Sequence, residues 1–387
     1  MRRGQTGKYE ILTIGDEKVR AFLPKPLPPH PPLVLHGPIQ TLLERALLAL
    51  GRLDSVSTLL SGTDLFLYAY VRKEAVLSSQ IEGTQSSLSD LLLFEMEQAP
   101  GAPLDDVVEV SNYVAAMEHG LERLRGGFPL SSRLFREIHA KLLSRGRGNS
   151  KDPGNFRRSQ NWVGGSRPGT ALFIPPPHTA VKDCIFDLER FLHGTEDGLP
   201  AVIKAGLAHV QFETIHPFLD GNGRVGRLLI TFLLCHAGVL GEPLLYLSLY
   251  FKQHREDYYR LLNDVRKEGR WEEWLEFFLH GVLETSESAV TTCQRLVTLF
   301  EENRKRIQSR GRTAGSALRV HDALKQRPIA AMQEIARRAA LSFPAASSGM
   351  KLLADLRIAR ELTGRKRNRV FVYDAYLKIL NEGTEPS

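Results

Sequence analysis

Leu42, Leu43, Ala46, Leu47 and Leu50 recur at the spacing of one face of a helix from Pro38 onward. A second helix is expected from about Leu65 to Ile81, with Gly83 placed to take the left-handed conformation that stops it. The same periodicity predicts helices over 104–125, 131–144, 179–193 and 199–213, and again from Asn222 to about residue 309. Residues 153–177 break the rhythm. Asn161-Trp162-Val163, the glycine-rich 164–169 and Ala171-Leu172-Phe173-Ile174 read as strand, turn, strand, ended by Pro175, Pro176 and Pro177. This is the one clear hairpin in an otherwise helical body.

Both ends depart from that body. Residues 1–36 gather Pro24, Pro26, Pro28, Pro29, Pro31 and Pro32, so an extended proline-rich arm lying on a later domain is expected. Past a linker at 309–314, Ile329–Leu341 and Phe343–Leu356 read as two short helices. Residues 359–362, a turn at 363–368 and Arg369–Tyr373 then read as a hairpin; helix, turn, helix, hairpin is the winged-helix order. The expected fold is mainly α, with a β-hairpin and a small carboxy-terminal winged-helix domain. The expected parts are 1–36, 37–125, 126–309 and 315–380.

Composition narrows the class without naming a function. With 387 residues, 42% hydrophobic and 25% charged, the chain is an ordinary globular protein with room for a large core. The net charge of +7 favours anionic partners. Cys184, Cys235 and Cys293 lie far apart and lack metal-ligand spacing, which fits a reducing cytoplasm. The apolar run at 228–240 is too short and too interrupted to span a bilayer, so no membrane partner is expected.

Chemistry concentrates at 216–227, His-Pro-Phe-Leu-Asp-Gly-Asn-Gly-Arg-Val-Gly-Arg. Gly221-Asn222-Gly223 precedes a helical pattern, so backbone N–H groups and the helix dipole converge on one anion site. Arg224 and Arg227, three apart on one helix face, can both fork onto the same anion. Asp220 can hold Mg²⁺ through one carboxylate while phosphate oxygens supply other ligands. His216 can take a proton from an attacking hydroxyl. Each feature is ordinary by itself; their crowding into one short window points to chemistry on a polyphosphate.

This window resembles the Fic-domain signature, His-Pro-Phe-x-(Asp/Glu)-Gly-Asn-Gly-Arg-x-x-Arg, at every specified position. Gly154-Asn155-Phe156-Arg157 and the 160–176 hairpin resemble the Fic flap, and the ends of the chain resemble Fic amino-terminal regions and bacterial winged helices. The resemblance implies a Fic-type helical core and an enzyme, a protein adenylyltransferase. It would move AMP from ATP to a Ser, Thr or Tyr hydroxyl of a target protein or of itself. It makes His216 the base and Asp220 the Mg²⁺ ligand. Gly221, Asn222 and Gly223 form the anion hole, Arg224 holds the β-phosphate and Arg227 the γ-phosphate. Val225 and Gly226 fall inside the same ATP-binding stretch.

Upstream, Ser78-Ser79-Gln80-Ile81-Glu82-Gly83 resembles the family's inhibitory motif, (Ser/Thr)-x-x-x-Glu-(Gly/Asn). The resemblance implies that Ser78, Glu82 and Gly83 form an autoinhibitory helix, with Glu82 occupying Arg227 in place of the γ-phosphate. It also puts Tyr258 and Leu262 against adenine, with Arg266 where relatives often carry Asn. Arg365, Lys366, Arg367 and Arg369 at the expected wing tip make duplex DNA a candidate partner. Apolar helix faces leave room for a homodimer. Two other functions fit the same motifs: a DNA-binding regulator whose core only senses nucleotide, and removal of AMP or transfer of another nucleotide on the same core.

Overall fold

A computed structural model describes residues 3–59, 63–96, 101–194, 198–365 and 367–385. Its first element is one the sequence hid. Strands β1 (Gly7–Ile14) and β2 (Glu17–Pro24) form an antiparallel hairpin, Gly7 opposite Pro24 and Ile14 opposite Glu17. Along β2, Val19 and Ala21 are buried while Lys18 and Arg20 are exposed, the alternation of a half-covered strand. The arm expected to be extended is thus paired sheet up to Pro24. Pairing ends where prolines begin, since a proline has no N–H to donate to the ladder.

Helices α1 (Pro38–Leu59), α2 (Thr63–Ile81), α3 (Leu88–Phe94), α4 (Leu104–Arg125), α5 (Ser132–Leu142), α6 (Val181–His193), α7 (Ala201–Ile215), α8 (Asn222–His236), α9 (Ser248–Gln253), α10 (Arg255–Glu268) and α11 (Trp271–Gln308) follow. Local chemistry sets their ends. Gly83, with φ of 101°, stops the chain just past α2. Ser87 and Asp90 cap α3 reciprocally, each side chain accepting the other's backbone N–H. Helix α4 carries Asp105 and Asp106 in its first turn and Arg123 and Arg125 in its last, matching the helix dipole.

Helices α7 and α8 pack against each other at the centre of the core. Val202–Ile203, Ala205–Ile215 and Arg224–Leu234 are buried on every side. A helix buried all round shows no amphipathic stripe, so the end expected at 213 falls short of the observed Ile215. Around this pair, α2 packs on α4 and α9, and α1 lies along the long α11.

The hairpin predicted at 161–174 shrinks to one antiparallel bridge, Val163 with Phe173. Gly164 and Gly165 both have positive φ and a single 3₁₀ turn spans Pro168–Thr170, so the connection is too irregular to extend the ladder. The amino-terminal hairpin supports it instead. Phe22 N–H donates to Ile174 O at 2.9 Å, and Glu17 accepts from Arg167 and from the Gly169 amide.

The carboxy-terminal unit comprises α12 (Ala314–Gln326), β3 (Ile329–Ala331), α13 (Met332–Arg338), α14 (Phe343–Asp355), β4 (Arg360–Glu361), β5 (Val370–Val372) and α15 (Asp374–Asn381). Its sheet runs β3-β5-β4, all antiparallel. Ile329-Ala330-Ala331, expected as the start of a helix, pairs with β5, because three small apolar residues carry no period of their own. Lys366 lies outside the described residues. The chain then returns to α2: Lys73 Nζ donates to Glu382 O and Gln80 Nε2 to Thr384 O, each at 2.8 Å. Among the described residues no helix is long and apolar enough to cross a membrane.

Candidate active site

His216 ends α7 in the left-handed conformation, φ 49° and ψ 59°. A non-glycine residue there is uncommon and costs energy, so the surroundings must hold it. Arg157 does so. Only 2% exposed, it donates from Nε to His216 O at 3.0 Å and from Nη2 to Pro176 O at 2.6 Å, while its own N–H reaches Pro217 O. One buried guanidinium thus ties the flap base to the loop that carries His216. Burial, then the charges of Arg157 and Arg266, push the His216 imidazole down to about 4. It is therefore neutral at physiological pH and able to accept a proton. Its Nδ1 is buried without a hydrogen-bond partner among the described residues.

The glycine turn is held from both sides. Asn222 Oδ1 accepts the Phe218 N–H at 2.8 Å and its Nδ2 donates to Phe218 O at 2.9 Å, closing the loop on itself. The Asn222 side chain is therefore committed to the loop, while the first backbone N–H groups of α8 lack intrahelical partners. Asn161 Nδ2 adds a donor to Phe218 O from the flap. From below, His139 Nδ1 accepts the Gly154 N–H and its Nε2 meets Asp220 O at 3.0 Å. Those partners fix the neutral tautomer with hydrogen on Nε2, and burial holds the ring down at about 4. The ring also stacks on Phe218, centroids 3.8 Å apart.

The two arginines, expected on one face, turn to different helices. Arg227 is 2% exposed and fully engaged: Nε donates to Ser78 Oγ at 2.8 Å, and Nη2 to Ser78 O at 2.9 Å and to Glu82 Oε1 at 2.7 Å. Ser78 and Glu82 thus meet Arg227 as the sequence suggested, while Gly83 makes the turn behind them. The pair is only half buried, because the Glu82 side chain is 36% exposed. Its carboxylate lies so close over Gly223 that a Cβ there would collide with it. Glu82 therefore sits at the start of α8, where an anion would sit. Burial alone would raise its carboxyl, but Arg227, then Arg224 and His216, hold it below its usual value. Arg224 turns away to α4, with Nη1 3.2 Å from Glu109 Oε2 and Nη2 3.7 Å from Asp220 Oδ1.

The side-chain positions of Val225 and Gly226 face the protein interior. Val225 is 1% exposed in the core, and Gly226 packs on α7, where a Cβ would collide with Glu213. Tyr258 is 1% exposed, its hydroxyl 2.8 Å from His209 Nε2 and its ring beside Phe251 and Trp274; Leu262 is 3% exposed. Tyr259, 40% exposed and within the electrostatic reach of Glu82 and Arg227, is the aromatic ring on the open side. Arg266 is buried, with Nε 3.1 Å from Thr214 Oγ1 and its guanidinium over the Phe173 ring. Asp220 has a 43% exposed side chain and only the loose 3.7 Å ion pair with Arg224. Its Oδ1 accepts the Gly221 N–H, and a Cβ on Gly148 would come within 2.9 Å of its Oδ2. One open carboxylate in a glycine-lined space suits Mg²⁺ bound mainly through phosphate and water.

Family comparison matches this architecture. A profile described as Fic/DOC family N-terminal matches residues 40–122, and one described as Fic/DOC family matches residues 129–234. The chain is similar to Protein adenylyltransferase Fic of Aedes aegypti, 30% identical over 259 residues, covering 62% of this chain and 49% of that one. The namesake of Culex quinquefasciatus is 34% identical over 194 residues, covering 49% of this chain and 35% of the relative. The chain thus spans about half the length of the first of these relatives, or less. Among solved structures, a Fic family protein from Desulfovibrio desulfuricans G20 superposes with TM-score 0.59 at 19% identity, covering 89% of this chain and 98% of that one. A Fic domain containing signaling protein from Bacteroides thetaiotaomicron VPI-5482 gives 0.52 at 19% identity, covering 64% and 95%. At that identity the likeness is one of fold. The stretches 40–122 and 129–234, which enclose α2 and the glycine turn, are thus a Fic/DOC family amino-terminal region and a Fic/DOC family domain.

Proposed function

We propose that the chain is a protein adenylyltransferase held in an inhibited state by Glu82. The observation that carries this is Arg227, closed by Ser78 and Glu82 beside the glycine turn. An arginine–carboxylate pair and an arginine–phosphate pair use the same donors, so ATP has to displace Glu82 before its γ-phosphate is held. In the open state the target hydroxyl oxygen attacks the α-phosphorus and its proton passes to neutral His216. The bond to the β-phosphate breaks and pyrophosphate leaves. The α8 amides at Asn222 and Gly223 would stabilise charge on the phosphoryl oxygens. Mg²⁺, held by Asp220, would supply charge neutralisation at the phosphates. Tyr259 offers a face for the base, and the flap around Val163 and Phe173 offers backbone groups to a target segment.

The test uses intact-mass spectrometry after exposure to ATP and Mg²⁺. The Glu82→Gly variant should gain the mass of AMP on itself or on an added protein, the parent far less, and Glu82→Gly/His216→Ala nothing. Absence of AMP from every sample would sink the proposal.

For the carboxy-terminal unit we infer a winged helix that meets nucleic-acid phosphates. Arg337 and Arg338 both close on Glu334, so the basic groups left are Lys351, Arg357, Arg367 and Arg369. Lys351 and Arg369 line a cavity of about 580 Å³ beside exposed Phe343. Salt-dependent binding to duplex DNA, lost in Lys351→Ala/Arg369→Ala, is the expected result. No binding at low salt would leave this surface to a protein partner.

A further inference from the structure

We infer that Glu109 is the positioning residue that presents Arg224 to the nucleotide phosphates and keeps it off Asp220. This rests on the nucleotide function proposed above. Arg224 and Glu109 are 4% and 5% exposed, and their side chains meet at 3.2 Å. The other Glu109 oxygen accepts from Arg147 Nε at 2.6 Å, and Arg147 Nη2 reaches Asp106 Oδ1 at 2.5 Å. Asp106 Oδ2 in turn accepts the Gln85 N–H at 2.6 Å, just beyond the inhibitory helix. Helix α4 thus presents an acidic face that grips Arg224, the loop bearing Arg147 and the segment leaving Gly83.

The hydrogen-bond pattern distinguishes an anchor from a lock. On Arg227, Nε and Nη2 donate to Ser78 and Glu82, and opening the site must break those bonds. On Arg224 only Nη1 makes a hydrogen bond; Nε is buried without a partner among the described residues, and Nη2 is too far from Asp220 to bond. A buried guanidinium N–H is rarely left unpaired, so Nε is set to receive an acceptor that arrives with the ligand, and Nη2, held only by a loose 3.7 Å ion pair with Asp220, can join it. Glu109 holds the fork by one tine and leaves the others free. Its second effect concerns Asp220, one helical turn earlier in sequence and 3.7 Å away. With glutamine at 109, Asp220 becomes the nearest carboxylate for Arg224, and the loose 3.7 Å ion pair would tighten onto the oxygen proposed for Mg²⁺. Arg147 and Asp106 balance the cluster: two carboxylates, two guanidinium groups.

The test compares nucleotides on the full chain, in the Glu82→Gly background where the site is open. Affinities for ATP and for AMP, each with Mg²⁺, are measured by calorimetry for Glu82→Gly and for Glu82→Gly/Glu109→Gln. The glutamine variant should bind ATP about tenfold more weakly, the cost of one misplaced charge-assisted contact, while AMP binding is unchanged. It should also need more Mg²⁺ for half-maximal ATP binding. Glu109→Asp, which keeps the charge, should recover most of the loss. Equal losses for ATP and AMP would mean that Glu109 only supports the fold, and unchanged or tighter ATP binding would overturn the inference. If Glu82→Gly binds neither nucleotide, the nucleotide function itself fails, and this inference falls with it.

Discussion

Arg227 and Arg224 leave the same turn of α8 three residues apart, yet they live in opposite circumstances. Arg227 crosses to α2 and spends its donors on Ser78 and on Glu82, a carboxylate that stays 36% exposed. Arg224 crosses to α4 and meets Glu109, a carboxylate that is 5% exposed and shared with Arg147. The half-exposed partner can move into water once a phosphate takes its place on buried Arg227; the buried one cannot leave without stranding a charge. The first contact suits a switch and the second a fixture. Motif spacing alone makes the two arginines equivalent, and only their partners from other helices separate them.

The strongest way to break this comparison is to remove the switched arginine itself. In the Glu82→Gly background, Arg227→Ala should cut AMP incorporation at limiting ATP by about 100-fold or more, since a charge-assisted phosphate contact is lost where charge develops. A loss of less than threefold would show that the γ-phosphate is held elsewhere. The next step weakens the switch from its other end. Ser78→Ala in the otherwise unaltered chain removes the hydroxyl that accepts from Arg227 Nε, while Glu82 remains. One net hydrogen bond of about 1 kcal/mol predicts roughly a fivefold rise in basal self-modification. No rise would assign the inhibition to Glu82 alone.

The sequence made the turn and the switch legible and left the fixture invisible. Residues 216–227 are contiguous, and glycine, proline and arginine there carry local physical meaning. Ser78 and Glu82 are one helical turn apart, so their shared direction follows from spacing. Glu109, His139 and Arg157 have no such signal. Each reaches its partner from a distant part of the chain, and the packing of α4, α5 and the flap on the catalytic loop decides the meeting. Tyr258 and Tyr259 show the same limit. Periodicity allows either to face the nucleotide; the His209 hydrogen bond and the aromatic core claim Tyr258. At the amino terminus the proline cluster concealed a hairpin whose alternation was present in Val19, Arg20 and Ala21.

A smaller effect sharpens the setting of the base between the two arginines. Burial, Arg157 and Arg266 hold His216 down at about 4, while Glu82 acts in the opposite direction. Removing Glu82 takes away a raising influence, so the opened enzyme should hold its base at least as low. In Glu82→Gly, kcat/KM should therefore stay level from about pH 8 to pH 6 and fall only below about pH 5. An acid limb near the ordinary histidine value would mean that His216 is solvated in the open state.

A last expected effect separates two carboxylates that the same arginine pulls down but whose net shifts have opposite signs. Glu82 is held low, so its contribution to stability is present above its ordinary value and lost on acidification. Glu213, 8% exposed with Oε1 unpaired among the described residues, is raised to about 7, first by burial and further by Glu82, against the pull of Arg227 and Arg266. In the unfolded chain Glu213 ionises near 4.5, but in the fold it stays protonated to about 7. The unfolded state therefore holds fewer protons in that window, and stability falls as pH rises from about 4.5 to 7, then levels. Glu213→Gln removes this loss. Its stability relative to the parent, followed by thermal unfolding, should climb between pH 5 and pH 8 by on the order of 2 kcal/mol. A difference constant across that range would mean that Glu213 is already ionised in the fold and paired with Arg227. Removing Glu82 from both members of the comparison should shrink the increment, because the like charge that helps keep Glu213 neutral is gone.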